Sequence, residues 1–579
     1  MTATNLATAS VGRVRVAARP RAARVSQAAV WVVAVGLVVF PLAPIVYSSF
    51  LSKPFYLPGS TFTLDAYATL FADPAYWRAA GNSLVFASLM TAIAVPTGTA
   101  FAVLCHRTDM PLASWYGRLL LAPIVIPPLG LIVGWFVLYG DGGYLTQIVH
   151  RALHLPPWQL SSIPGMAVLG AAVATPIAYV TCRAALEGRD TALEEAASSL
   201  GAGPMSVLLS ITVPMLRPAI LNCAVLIFAL GLEVLGIPLL LGGPSNIDMY
   251  ASYLYKAWTS GFTPDPPSVS AGALILLLAV TTLLLVRAAL LGSERRFGGV
   301  GARGGRPARR LTLGRWRHPV AIAGGAYIAM TSLVPLLGLV VMSLVTELTI
   351  LVPPWHLATA GNWVQVLTDP RFQRSILDSV VIGLAGAGLT VILVALATLI
   401  ANRSDFPLRT LLGPALVYPR AVPGIVLGIG FFWGFLFVDL PGGALRNSLV
   451  GELIALSVRS STLAYVVIYP AVVRINVELD RAARASGAGW WTTVRLVLLP
   501  MLRPALVAAF VLMFVAMVSD YDPVVFLQKP GTEVMGVTML HLWTKGVVGS
   551  VAALAVVQLA IVAVVISAAW RTLGRALHA

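Results

Sequence analysis

The chain reads "VPMLRPAI" at Val213–Ile220 and "LPMLRPAL" at Leu499–Leu506, so one hexapeptide, an arginine caught between prolines, recurs nearly half the protein apart. A proline in the first turn of a helix loses no hydrogen bond, and an arginine there can keep its guanidinium in water while its stem lies on apolar surface. Each copy, Pro214–Ala219 and Pro500–Ala505, therefore reads as an interfacial helix start. The surroundings repeat as well. "DPAYWRAAGNS" at 73 lies over "DPRFQRSILDS" at 369, a spacing of 296, and "RTDMPL" at 107 lies over "RSDFPL" at 403. Pro123 and Pro127 meet Pro419 and Pro423 at the same spacing. Farther on the spacing is 286, from Pro214 to Pro500 and from the "AYV" at 178 to the "AYV" at 464.

Composition places both copies in a bilayer. With 58% apolar residues, 11% charged residues and a mean hydropathy of +0.86, the chain cannot close as a soluble globule. A span needs about 20 mostly apolar residues. Candidate spans lie near 28–50, 82–104, 116–139, 164–183, 218–242 and 268–291, and again near 319–345, 378–401, 409–437, 450–473, 504–527 and 551–570. The runs are too long for barrel strands and do not alternate. The expected fold is an all-α membrane protein of about twelve helices, built as two parallel six-helix repeats around a central path.

The net charge of +16 sits mainly on arginines beside expected helix ends, which is the pattern of cytoplasmic segments and not of a nucleic-acid-binding face. Arg13, Arg15, Arg19, Arg21 and Arg24 fill a basic N-terminal segment, 1–27. Arg295, Arg296, Arg303, Arg306, Arg309, Arg310, Arg315 and Arg317 fill a Gly- and Arg-rich linker, 292–317, between a first repeat at 28–291 and a second at 318–579. An even number of spans per repeat puts both termini on the cytoplasmic side. Cys105, Cys182 and Cys223 have no metal spacing and imply no disulfide framework. His106, His318 and His541 read as interfacial residues, so no metal site is expected.

Upstream of the first hexapeptide, Thr191 and Glu194 have capping-box spacing, and Gly201 is suited to stop the helix in a left-handed conformation. A helix of about three turns is expected between them, with an amphipathic stretch leading to the hexapeptide. "EAASSLG", then nine residues, then Ile211 and Pro214, resembles the EAA loop of ABC importer permeases. The second repeat carries "RAARASG" with Val497 and Pro500 at the same spacings. The fused layout, with "DP…NS" before the second span and "LEVLGIPLLLGGP" in the fifth, looks most like iron(III)-type permeases.

The resemblance implies the type I importer permease fold and a bacterial inner (plasma) membrane location. It implies two copies of an ATPase subunit, each held by one loop through Glu194, Glu195, Ala196, Ala197, Gly201, Ile211 and Pro214 or through Asp480, Arg481, Ala482, Ala483, Gly487, Val497 and Pro500. It also implies a periplasmic or extracellular binding protein that delivers substrate. Ferric ion is the favoured cargo, with thiamine, polyamine, sulfate and phosphonate as alternatives and an ion-coupled secondary transporter as the reading from another class. The second loop departs from the pattern where Glu195 is replaced by Arg481, so the two dockings need not be equal. ATP belongs to the partner, because a phosphate-binding loop needs Lys before Ser or Thr and none of Lys53, Lys256, Lys529 and Lys545 has either. The chain itself is expected to bind no cofactor and to catalyse no reaction. Charge inside a bilayer is costly and faces a protein interior or a water path. Glu233, Asp520 and Asp522, in the fifth span of each repeat, are therefore candidates for the substrate path, with pairing to an arginine such as Arg420 as the alternative.

Overall fold

The computed structural model describes residues 20–154, 156–187, 192–259, 266–292, 311–438, 445, 448–529 and 531–578. Much of the basic N-terminal segment, most of the Arg- and Gly-rich linker, and Thr191 lie outside the described residues. Nine described helices are long and apolar enough to cross a membrane: Ala23–Ser49, Pro74–Arg107, Ile163–Glu187, Pro266–Ala289, Gly314–Ser343, Pro370–Arg403, Leu449–Arg474, Trp490–Ser519 and Val548–Arg571. Three bent pairs bring the total to twelve: Ala113–Val125 with Pro128–Leu153, Met205–Met215 with Arg217–Glu233, and Arg409–Ala421 with Gly424–Val438. The chain is an all-helical membrane protein.

The third span of each half, expected as one helix, is broken instead, by 103° in the first half and 110° in the second. The cause is local. Ile126 and Val422, each followed by proline, are extended with ψ of 129° and 119°. A residue before proline is pushed out of the α region, and the proline cannot donate to the preceding turn. The fifth helices also end before the apolar run does, at Glu233 and Ser519, where Val234 and Asp520 turn extended with ψ of 126° and 132°. Broken backbone at membrane depth is tolerated where protein or a water path covers it. Both fifth spans pass through a π-helical turn on their way in, Leu208–Thr212 and Val494–Leu498. The second helices share a start: Asp73 and Asp369 each accept a hydrogen bond from the backbone two residues on, at 2.8 and 2.9 Å, with proline at the first helical position.

The halves exchange their first helices. Gly134, on the third span of the first half, lies against the Pro335 carbonyl of the second half's first helix with no room for a Cβ. Gly430 meets Pro41 in the same way from the other side. Trp135 Nε1 donates to the Thr331 carbonyl at 3.1 Å, and Phe40 packs on Phe431 and Phe435 with ring centres 5.9 and 5.8 Å apart. In lipid, helices associate through close van der Waals contact, so glycine at these crossings is what permits the exchange.

One end of the bundle gathers the segments expected on a common face. Leu311, at the end of the linker, donates to the Arg107 carbonyl at 2.8 Å and accepts from Asp109 at 3.1 Å. Trp491, beside the second hexapeptide, donates to Ser26 Oγ at 2.7 Å. The helix expected to begin near 28 already starts at Pro20.

Candidate functional site

The two loops that carry the EAA-like pattern are built alike. In the first, the helix is Ala192–Ser199, about two turns and not the expected three. In the second it is Val477–Ala485, capped by Asn476, whose side chain accepts from the Glu478 N–H at 3.0 Å. Gly201 and Gly487 follow with φ of +88° and +81°. Around them the N–H of Ala202 donates to the Ala197 carbonyl, and that of Ala488 to the Ala483 carbonyl, both at 3.0 Å. This bond across the turn satisfies carbonyls the helix end leaves open, and the left-handed residue it requires is the reason for glycine.

Each helix is tied to the membrane part by one arginine. Arg107, the last residue of the second span, sits 3.8 Å from the Glu194 carboxylate and donates to the Leu186 carbonyl at 3.1 Å. Arg403, its counterpart, pairs with Asp480 at 3.3 Å and donates to the Val472 carbonyl at 2.8 Å. Both arginines are buried. One guanidinium thus joins the end of the second span, the end of the fourth and the loop helix. Thr212 adds a hydrogen bond to Glu194 at 2.9 Å, whereas Asp480 Oδ1 has no hydrogen-bond partner.

The acid that holds each loop is therefore Glu194 or Asp480, which both halves keep. Glu195 and Arg481, the position where the halves disagree, are exposed, and Arg481 pairs with Glu478 at 2.6 Å. Ala196 and Ala482 are exposed, Ala197 and Ala483 are half-buried, and Leu200 is 90% exposed. Ile211 and Val497 are half-buried in the π-helical turns, Pro214 is half-buried and Pro500 exposed. Arg107 and Arg403 were missed as loop anchors, although they begin the repeated "RTDMPL" and "RSDFPL". A basic residue repeated at the end of an apolar span was the available signal.

The hexapeptides themselves differ in shape. In the first half the helix bends by 62° at Leu216, between Val213–Met215 and Arg217–Glu233. In the second, Leu499–Ser519 runs through as one helix with Pro504 inside it. Arg217 and Arg503 are exposed in both.

At the other end of the fifth helices the three acids come together around one guanidinium, that of Arg459 on the fourth span of the second half. Arg459 lies 3.5 Å from Glu233, 3.2 Å from Asp520 and 3.7 Å from Asp522, and it donates to the Val422 carbonyl at 3.0 Å. The Asp522 N–H donates to Asp520 Oδ1 at 3.1 Å. Glu233 comes from the first half and its partners from the second, so the cluster bridges the two. Arg420 is exposed and forms no salt bridge within 4.0 Å among the described residues, so Arg459 and not Arg420 is the direct partner. Counterparts in the other half are uncharged: Val173 for Arg459, Ile124 for Arg420 and Val234 for Asp520. Among the described residues there is therefore one such cluster, set across the boundary between the two halves.

This geometry is matched by kinship. Residues 75–294 and 393–578 fit the family described as "Binding-protein-dependent transport system inner membrane component". The chain is 24% identical over 530 residues to the ferric transport system permease protein FbpB of Actinobacillus pleuropneumoniae, covering 88% of this chain and 72% of that one. It is 32% identical over 172 residues to the molybdenum transport system permease protein ModB of Escherichia coli, 29% of this chain and 72% of the relative. It is 27% identical over 236 residues to the sulfoquinovosyl glycerol transport system permease protein SmoG of Agrobacterium fabrum, 38% of this chain and 74% of the relative. With that family's domain present twice and covering more than half of its length, the chain belongs to the inner membrane components of binding-protein-dependent transport systems.

Proposed function

We propose that this permease forms the whole membrane path of an ATP-driven importer that brings ferric iron into the cytoplasm by alternating access. Two copies of a separate ATPase grip the two loops from the cytoplasm, where both chain termini lie, and a binding protein delivers cargo to the opposite face. ATP is bound by those partners and not by this chain. The observation that carries the reading is the doubled anchor, Arg107 on Glu194 and Arg403 on Asp480. Each makes the loop helix move as one body with the ends of two membrane spans, which is what a part that relays an ATPase's closure requires. Ferric cargo is supported by the FbpB relative, which matches most of the chain, and by three acids gathered where the two halves meet. An anionic cargo is the second reading, favoured by a second arginine, Arg420, beside that cluster and by the ModB relative.

The test is uptake of radioactive iron, with molybdate in parallel, by cells expressing the complete system. Gly201→Asp together with Gly487→Asp is expected to abolish uptake and ATPase co-purification while the permease still reaches the membrane. Normal co-purification would refute the coupling role. Molybdate uptake without iron uptake would select the second reading.

A further inference from the structure

The charge cluster has a position as well as a composition. The helix Arg217–Glu233 has 17 residues, so Glu233 lies about 25 Å from the interfacial Arg217. A hydrocarbon core is about 30 Å thick, which places the cluster in the half of the membrane away from the coupling loops. There the two fifth helices both break, at Val234 and Asp520. Tyr521, buried just past the second break, packs so closely on Gly236, just past the first, that a Cβ there would collide with its hydroxyl. The two halves are in contact at this level. The polar group at the contact is Arg459, whose side chain is 8% exposed, facing Glu233 at 8%, Asp522 at 19% and Asp520 at 22%.

We propose that Arg459 is a tethered counter-cation and forms the outer latch of the path, holding the two halves together through Glu233 and occupying the place that a cationic cargo takes when the path opens. The proposal rests on the importer reading and adds to it how the outer end is closed and what charge it selects. Three features carry it. The bond from Arg459 to Glu233 crosses between halves, whereas those to Asp520 and Asp522 stay within one, so separation of the halves must part Glu233 from the guanidinium. Glu233 Oε2 has no hydrogen-bond partner, so the guanidinium is its compensation. With Arg459 withdrawn, three carboxylates face Arg420 alone, a lining with net negative charge that attracts cations and repels anions. A buried carboxylate needs a positive partner, and a cargo that supplies one can replace the latch.

The experiment uses the complete complex in proteoliposomes. Cys105, Cys182 and Cys223, all buried, are replaced by serine, and Ser519→Cys is introduced beside the cluster, where the Ser519 hydroxyl is enclosed. The readout is the rate of labelling by a membrane-impermeant thiol reagent added on the binding-protein side. Glu233→Gln keeps the shape and leaves Arg459 paired with both aspartates, and it is expected to raise labelling about tenfold, a typical coupling between two conformations. A second variant, Arg459→Met with Glu233→Gln, Asp520→Asn and Asp522→Asn, buries no charge and is expected to label equally fast. Unchanged labelling in Glu233→Gln would overturn the latch, as would slow labelling in the uncharged variant. Faster labelling with no iron uptake by the unsubstituted system would keep the latch and discard the ferric reading.

Discussion

The two EAA-like loops share a skeleton and differ in skin. In both, an arginine from the end of the second span holds an acid in the first turns of the loop helix and a carbonyl at the end of the fourth span. In both, a glycine at positive φ ends the helix. The outer faces diverge: the first loop presents Glu195 and Leu200, the second Arg481, Arg484 and Ser486. What is common to the loops is what makes each a rigid lever. What differs is the surface open to a partner, so the two ATPase copies proposed above would meet shared alanine faces set among unlike charges.

The buried anchors allow the largest break in the comparison. Removing one member of a buried ion pair costs about 3 to 5 kcal/mol, because the other charge is stranded. Arg403→Ala should approach that cost, since among the described residues no second side chain holds Asp480. Arg107→Ala should cost less, because Thr212 still donates to Glu194 at 2.9 Å. Limited proteolysis of each loop in purified protein measures the order, and equal susceptibility would contradict the asymmetric anchoring. Smaller and symmetric effects belong to the glycines. Gly201→Ala and Gly487→Ala meet no neighbour within 4 Å, so only the left-handed backbone is penalised, by about 1 kcal/mol in each loop. Thermal unfolding with either alanine should shift alike, and a one-sided shift would break the equivalence. The smallest effect is expected from Glu195→Arg and Arg481→Glu, exposed positions where a charge contributes about 1 kcal/mol or less. ATPase affinity, measured on each variant, should change less than tenfold and fall off at high salt.

Much of this architecture was legible in the sequence because it rests on features that repeat. The Asp-Pro pairs at 73 and 369 start the second spans as their chemistry requires, and Gly201 and Gly487 end the loop helices. The EAA-like spacing located both loops. The breaks in the third spans were not read, although Pro127 and Pro423 were aligned, because a proline permits either a kinked helix or two helices and tertiary packing decides between them. The same indeterminacy governs the identical hexapeptides, one bent by 62° and one continuous. Arg107 and Arg403 were seen as parts of a repeat and not as anchors, since their partners lie 77 to 87 residues away along the chain (194 and 480 after 107 and 403). Arg459 was invisible for a different reason: its counterpart is Val173, and a feature present in one half leaves no trace in a comparison of halves.

On the proposed function, one chain supplies both of the levers that two ATPase copies grip. The most direct test of that claim is the ratio of ATPase to permease in the complex purified from membranes, read by native mass. Two ATPase copies per chain are predicted, falling to none when Gly201→Asp and Gly487→Asp are combined. A single ATPase per chain, or two retained by the double variant, would contradict the account.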